Sequence, residues 1–165
     1  MDRYFEKISF EQFSFDIIDD KDIYDEYELP IRGSKYSCGY DFIAIYDMVI
    51  HPGDILKIPT GYKAKFKNDE FLMLVVRSSM GFKYNVRMCN QVGIIDSDYY
   101  NNSDNEGHIW IALQNEGHED YVIKKGTAYA QGIFLKYLTC GDDVSNVRDG
   151  GIGSTDGKRN DKDER

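Results

Sequence analysis

Phe71-Leu72-Met73-Leu74-Val75-Val76 is an unbroken apolar run of strand length, with Asp69-Glu70 before it and Arg77-Ser78-Ser79 after it. Such a run between polar flanks predicts a strand buried on both faces. Upstream, Phe42-Ile43-Ala44-Ile45, Met48-Val49-Ile50 and Ile55-Leu56-Lys57-Ile58 are further short runs, separated by turn residues such as His51-Pro52-Gly53-Asp54 and Pro59-Thr60-Gly61. Downstream come Val92-Gly93-Ile94-Ile95, Ile109-Trp110-Ile111-Ala112-Leu113, Tyr121-Val122-Ile123 and Ile133-Phe134-Leu135. Short strands at this spacing predict an all-β sandwich or barrel, with a single short helix over 79–85. Residues 1–37 read as a starting strand near Phe5 to Phe10, then a solvated acidic connection up to Leu29-Pro30.

At 165 residues the chain fits one domain large enough to bury a core. Thirteen tyrosines and nine phenylalanines suit pleated, half-buried strands better than helices. No apolar run approaches the roughly 18 residues of a membrane span, and Met1-Asp2-Arg3-Tyr4-Phe5-Glu6 lacks the features of a signal peptide. A cytoplasmic protein is therefore expected. A net charge of −9 excludes a general nucleic-acid binder, which needs clustered cations, but not a nucleotide substrate held by a few. Cys38, Cys89 and Cys140 are odd in number and widely spaced, and read as buried thiols rather than a zinc site or disulfide framework.

Four segments carry chemistry. Ile94-Ile95-Asp96-Ser97-Asp98-Tyr99 runs from an apolar strand end into two acids and an aromatic. Asp96 and Asp98 point the same way on an extended chain. A carboxylate there can take a proton from water, although the fragment by itself reads more readily as a solvated turn. In Val75-Val76-Arg77-Ser78-Ser79-Met80-Gly81 a strand ends in a cation and two hydroxyls, which suit phosphate oxygens; capping of the following helix is an equal reading. Gly150-Gly151-Ile152-Gly153-Ser154-Thr155 permits close backbone approach to phosphates but lacks the lysine of a Walker loop. Cys38-Gly39-Tyr40-Asp41 places one acid before a strand, suited to contacting magnesium through water. His51, His108 and His118 lie scattered in turn-like contexts, in no Ser–His–Asp arrangement.

The order of these segments raises their weight. Gly39-Tyr40-Asp41, Arg77-Ser78-Ser79, Gly93-Ile94-Ile95-Asp96-Ser97-Asp98-Tyr99, Gly126-Thr127-Ala128-Tyr129-Ala130-Gln131, and Arg148 with Gly151-Ile152-Gly153-Ser154-Thr155 resemble the five motifs of the trimeric dUTPase family over residues 29–156. The resemblance implies a homotrimer of distorted, jelly-roll-like β-barrels with active sites shared among chains. It divides the chain into a body, 1–148, and a flexible glycine-rich arm, 149–165, that closes over a neighbour's site. It implies hydrolysis of dUTP to dUMP and pyrophosphate, which limits uracil in DNA and supplies dUMP for dTMP synthesis.

By the same resemblance Asp96 activates the water that attacks the α-phosphorus, with Mg2+ on the phosphates and Asp41 holding it through water. Asn90 and backbone groups of the hairpin through Gly93 and Ile95 read the uracil edge. Tyr99 packs on the deoxyribose and excludes a ribose 2′-hydroxyl. Arg77, Ser78, Ser79, Gln131, Arg148, Gly153, Ser154 and Thr155 bind the phosphates, and Ile152 covers the base.

The chain departs from the family in three places. Ile152 stands where a stacking Phe is usual, which implies weaker substrate retention. Thr127-Ala128 replaces an acid–Arg pair, and residues 100–107 lengthen the connection after Tyr99, where a polar surface loop is expected. A dCTP deaminase-like enzyme shares the Arg-Ser-Ser and Ile-Asp segments, but uses a Glu where this chain has Ala112. The departures also admit a catalytically weak nucleotide-binding regulatory protein.

Overall fold

Antiparallel pairing takes up the apolar runs in the computed structural model, which describes residues 3–141 and residue 150. The largest sheet runs, in spatial order, β2 (Ile31–Arg32), β3 (Tyr40–Ile43), β12 (Ala128–Lys136), β7 (Glu70–Val75) and β9 (Gly93–Asp96). A second sheet orders β5 (Ile55–Pro59), β10 (Trp110–Asn115) and β8 (Val86–Met88). Two pairs complete the frame: β1 (Tyr4–Lys7) with β6 (Tyr62–Lys65), and β4 (Met48–Ile50) with β11 (Tyr121–Ile123). The result is the all-β, jelly-roll-like architecture expected, with no sheet closed into a cylinder among the described residues. One buried cluster joins the sheets, with Phe5, Phe42, Ile58, Leu72, Leu74, Met88, Ile111, Leu113 and Ile123 among its members.

The run at 71–76 differs from the expectation in an informative way. β7 is central, paired on both edges by β12 and β9, yet only alternate side chains are fully buried: Leu72 and Leu74 enter the core, while Phe71, Met73 and Val75 stay half-buried. Their outward face continues on cross-strand neighbours Ile133, Leu135 and Ile94, with Leu135 37% and Ile94 51% exposed. The sheet therefore presents a contiguous apolar outer surface.

The N-terminal expectation is corrected. The chain leaves β1 before Phe10 and forms α1 (Phe10–Asp16) and α2 (Lys21–Glu26) instead of a solvated connection. Ser9 caps α1 by accepting from the Gln12 N–H at 3.1 Å, and Asp20 caps α2 by accepting from Asp22 and Ile23. Helices this short show little periodicity, so tertiary contacts hold them. Phe13 is fully buried and stacks on Tyr27 with ring centres 5.4 Å apart. The helix expected over 79–85 is α3 (Ser78–Tyr84), and Asn85 ends it in the left-handed conformation. The cysteines are not buried: Cys38 and Cys140 are exposed and Cys89 is intermediate.

Candidate active site

The predicted residues assemble in two groups at opposite ends of β7. Cross-strand register sets the first: Gln131 on β12 lies opposite both Asp41 on β3 and Val75 on β7. Two residues beyond Val75, Arg77 approaches Asp41, with Nε 3.6 Å from Oδ1. Gly39 leaves room for the Gln131 side chain, since a Cβ at position 39 would sit 2.1 Å from its amide oxygen. Ser78 and Ser79 open α3 and are exposed. Neither caps it, since the N-cap is Arg77 with no side-chain cap bond. The half-exposed guanidinium thus stands beside the Asp41 carboxylate, with two exposed serines following it in the chain, a set of donors suited to a polyanion.

The second group lines one cleft of about 530 Å³ between β9 and the β8–β10 edge. Asn90, Gly93, Ile95, Asp96 and Tyr99 all line it. Gly93 lets β9 close on β7, since a Cβ there would meet the Leu74 Cβ at 3.0 Å. Asp96 ends β9, and the chain then turns through a single 3-10 turn, Ser97–Tyr99. Strand alternation stops at Asp96, so the expected parallel aim of Asp96 and Asp98 does not hold. Among the described residues lining the cleft, Asp96 is the one carboxylate.

Lys57, Cys89, Trp110 and Ala112 also line this cleft. Sequence reasoning did not single out the first three, which face it only because β5 and β8 both pair with β10.

The two groups are far apart within one chain. Asp96 lies opposite Phe71 and Gln131 opposite Val75, on strands flanking β7. Four residues along β7 and two strand spacings across it put their backbones about 16 Å apart on one sheet face.

The Asp41 group fits a magnesium ion held mainly by a substrate's phosphates. One carboxylate, already beside Arg77, can contact the water shell of such an ion but cannot form a cage, and no cluster of three or more ligating side chains occurs among the described residues.

The altered fourth motif is closed by other means. Thr127 Oγ1 donates to the Lys124 carbonyl at 2.6 Å, and Asp47 accepts from Lys124 Nζ and the Lys125 N–H at 2.8 and 2.7 Å.

The histidines are structural or peripheral. His108 is buried, and its Nε2 must accept from the Gly61 N–H at 2.9 Å, so its Nδ1–H donates to Asp16 at 2.5 Å. His51 pairs with Asp120 at the surface. Arg148, Ile152, Gly153, Ser154 and Thr155 lie outside the described residues.

The dUTPase family model matches residues 25–156. A deoxyuridine 5'-triphosphate nucleotidohydrolase of Lactococcus lactis subsp. lactis is 41% identical over 130 residues, covering 77% of this chain and 87% of that protein. The crystal structure of the dUTPase from Streptococcus mutans superposes with a TM-score of 0.67 at 34% identity, over 84% of this chain and 98% of that one. A mutant dUTPase from phage phi11 of S. aureus, which coordinates a structural Mg(II) ion, shares the fold at TM-score 0.64 and 18% identity, over 87% of this chain and 97% of that one. With its fold and most of its length matched in this way, the chain belongs to the dUTPase family.

Proposed function

We propose that this protein hydrolyses dUTP to dUMP and pyrophosphate, limiting uracil in DNA and supplying dUMP for dTMP synthesis. The observation that carries the reading is the convergence of Asn90, Gly93, Ile95, Asp96 and Tyr99 on one cleft of nucleoside size. Asn90 and the hairpin backbone hydrogen-bond the uracil edge; cytosine reverses donor and acceptor at its 4-position and leaves those groups unpaired. Tyr99 packs on the deoxyribose and leaves no space for a 2′-hydroxyl.

Asp96 takes a proton from water as its oxygen bonds to the α-phosphorus. The bond from that phosphorus to the α–β bridging oxygen breaks, and pyrophosphate leaves. Arg77, Ser78, Ser79 and Gln131, with Arg148, Gly153, Ser154 and Thr155, neutralise and orient the phosphates. Asp41 would hold magnesium through its water shell, and the ion would supply neutralisation of the phosphate charge. Residues 1–148 form the body, and residues 149–165 form the arm that brings Ile152 over the base.

The working unit in this reading is a homotrimer with shared sites. A separation of about 16 Å between the Asp96 and Gln131 backbones is too great for one chain to aim water at a phosphorus whose oxygens it also holds. A cyclic head-to-tail contact through the apolar sheet face brings one copy's Asp96 to the next copy's Arg77, and buries Phe71, Met73, Ile94, Ile133 and Leu135. A cytoplasmic setting fits the thiols at Cys38 and Cys89. Among the described residues no helix is long and apolar enough to cross a membrane.

Against a deaminase, Ala112 lines the cleft and offers no carboxylate. Pyrophosphate release from dUTP with magnesium tests the assignment, with Asp96→Asn as control. Release of deoxyuridine nucleotide from dCTP would favour the deaminase, and nucleotide binding without turnover a regulatory protein.

A further inference from the structure

The loop at 100–107 is no loose surface connection. Asn102 is 7% exposed. Its Nδ2 donates to the Tyr99 carbonyl at 2.8 Å and to Asn105 Oδ1 at 2.9 Å, while its Oδ1 accepts from the Asp104 and Asn105 N–H groups. Asn105 then reaches inward: its Nδ2 donates to Tyr99 Oη at 2.9 Å and to the His108 carbonyl at 3.3 Å, and its Oδ1 also accepts from the Gly107 N–H at 3.1 Å. Tyr99 Oη donates to the same His108 carbonyl at 3.2 Å. Gly107 has φ +80°, and a Cβ on it would come 2.6 Å from the Tyr99 carbonyl oxygen, so the loop is drawn tight against Tyr99.

The outside of the loop is anchored as well. Glu106 accepts from the Ser9 N–H at 3.0 Å and from Lys63 Nζ at 3.3 Å, Lys63 also donates to Asn101 at 2.7 Å, and Tyr100 Oη donates to Glu6 at 2.6 Å. The N-terminal segment and β6 thus brace a loop whose inner face ends on one phenol.

We propose that Asn105 is a positioning residue for sugar selectivity: its amide fixes the Tyr99 ring as a rigid wall of the nucleoside cleft and so sets how strongly a ribonucleotide is excluded. This rests on the assignment of Tyr99 to the deoxyribose. A ring held at its backbone and by two contacts at its hydroxyl cannot yield to an added 2′-hydroxyl, whereas one left with only the His108 carbonyl at that end can tilt away. Asn105 itself does not touch substrate, so the chemical step is left alone.

The test is steady-state kinetics on dUTP and UTP with the full-length protein. In Asn105→Ala, kcat on dUTP stays within about twofold of wild type, while the ratio of kcat/KM for dUTP over UTP falls about tenfold, the scale of one buried hydrogen bond. In a Tyr99→Phe background, Asn105→Ala causes little further loss, because the shared hydrogen bond is already gone. An unchanged ratio in Asn105→Ala, or a fully additive loss in the Tyr99→Phe background, overturns the role of Asn105. Tyr99→Ala separates the two levels: it must lower the ratio if Tyr99 faces the sugar, and an unchanged ratio there overturns the Tyr99 assignment itself.

Discussion

Mixing two inactive variants tests the division of labour between the two ends of β7. Asp96→Asn removes the proposed base, and Arg77→Ala removes a proposed phosphate cation; each variant alone is expected to lose about 10²-fold or more in turnover. Suppose every site takes Asp96 from one chain and Arg77 from the next. In a mixed cyclic trimer, one site of the three then carries both native residues, whichever variant is in excess. Mixed trimers isolated through two different tags should therefore show about a third of wild-type turnover, and an unfractionated random mixture about a quarter. The structural basis is the about 16 Å between the Asp96 and Gln131 backbones on a single sheet face. The assay is pyrophosphate release from dUTP, with trimer mass checked by light scattering. Turnover no higher than that of the parent variants would place both residues of a site in one chain and refute the shared-site geometry.

Other outcomes follow from local chemistry. Asp96→Asn should lower kcat while leaving nucleotide binding, read by fluorescence of Trp110, the single tryptophan and a cleft residue, near wild type; a large loss of binding would contradict the base assignment. Removing residues 149–165 should suppress turnover and leave the assembly intact, and undiminished activity would end the proposed role of the arm. Burial lowers the His108 pKa below its ordinary 6.5, against the opposing pull of Asp16. The unfolded chain therefore binds more protons than the folded one just below pH 6.5, and stability should decline as pH falls through that window. Urea unfolding of wild type and His108→Gln at fixed protein concentration, near neutrality and in mild acid, should show a smaller decline in the variant. Asn115→Ala strips buried partners from the Ile50 and Glu119 carbonyls and the Gly117 N–H, and should cost about 2–3 kcal/mol in the same assay.

What was legible in the sequence was local. Apolar runs bounded by Pro, Gly and Asp marked most strands, because burial and turn geometry act over a few residues, and the order of short motifs marked the cleft residues. The helices α1 and α2 were missed: at 7 and 6 residues they lack a helical period, and their acids read as solvated chain. The signals were Ser9 with Gln12 and Asp20 with Ile23, cap pairs that mean little until Phe13 is seen stacked on Tyr27. The run at 71–76 reads in sequence as buried on both faces because apolar character alone cannot distinguish a core from an apolar outer sheet face. Lys57 and Trp110 were missed because cross-sheet proximity is set by register between strands far apart in sequence. Asn105 was invisible for a similar reason: a polar loop shows no sign in sequence of which side chain it closes upon.

The most direct test is to hydrolyse dUTP in heavy-oxygen water and weigh the products. Attack at the α-phosphorus, with Asp96 as base, puts the heavy oxygen in dUMP and none in pyrophosphate, and the label incorporated falls with turnover in Asp96→Asn. Heavy oxygen in pyrophosphate, or labelled dUMP formed at an unchanged rate by Asp96→Asn, would contradict it.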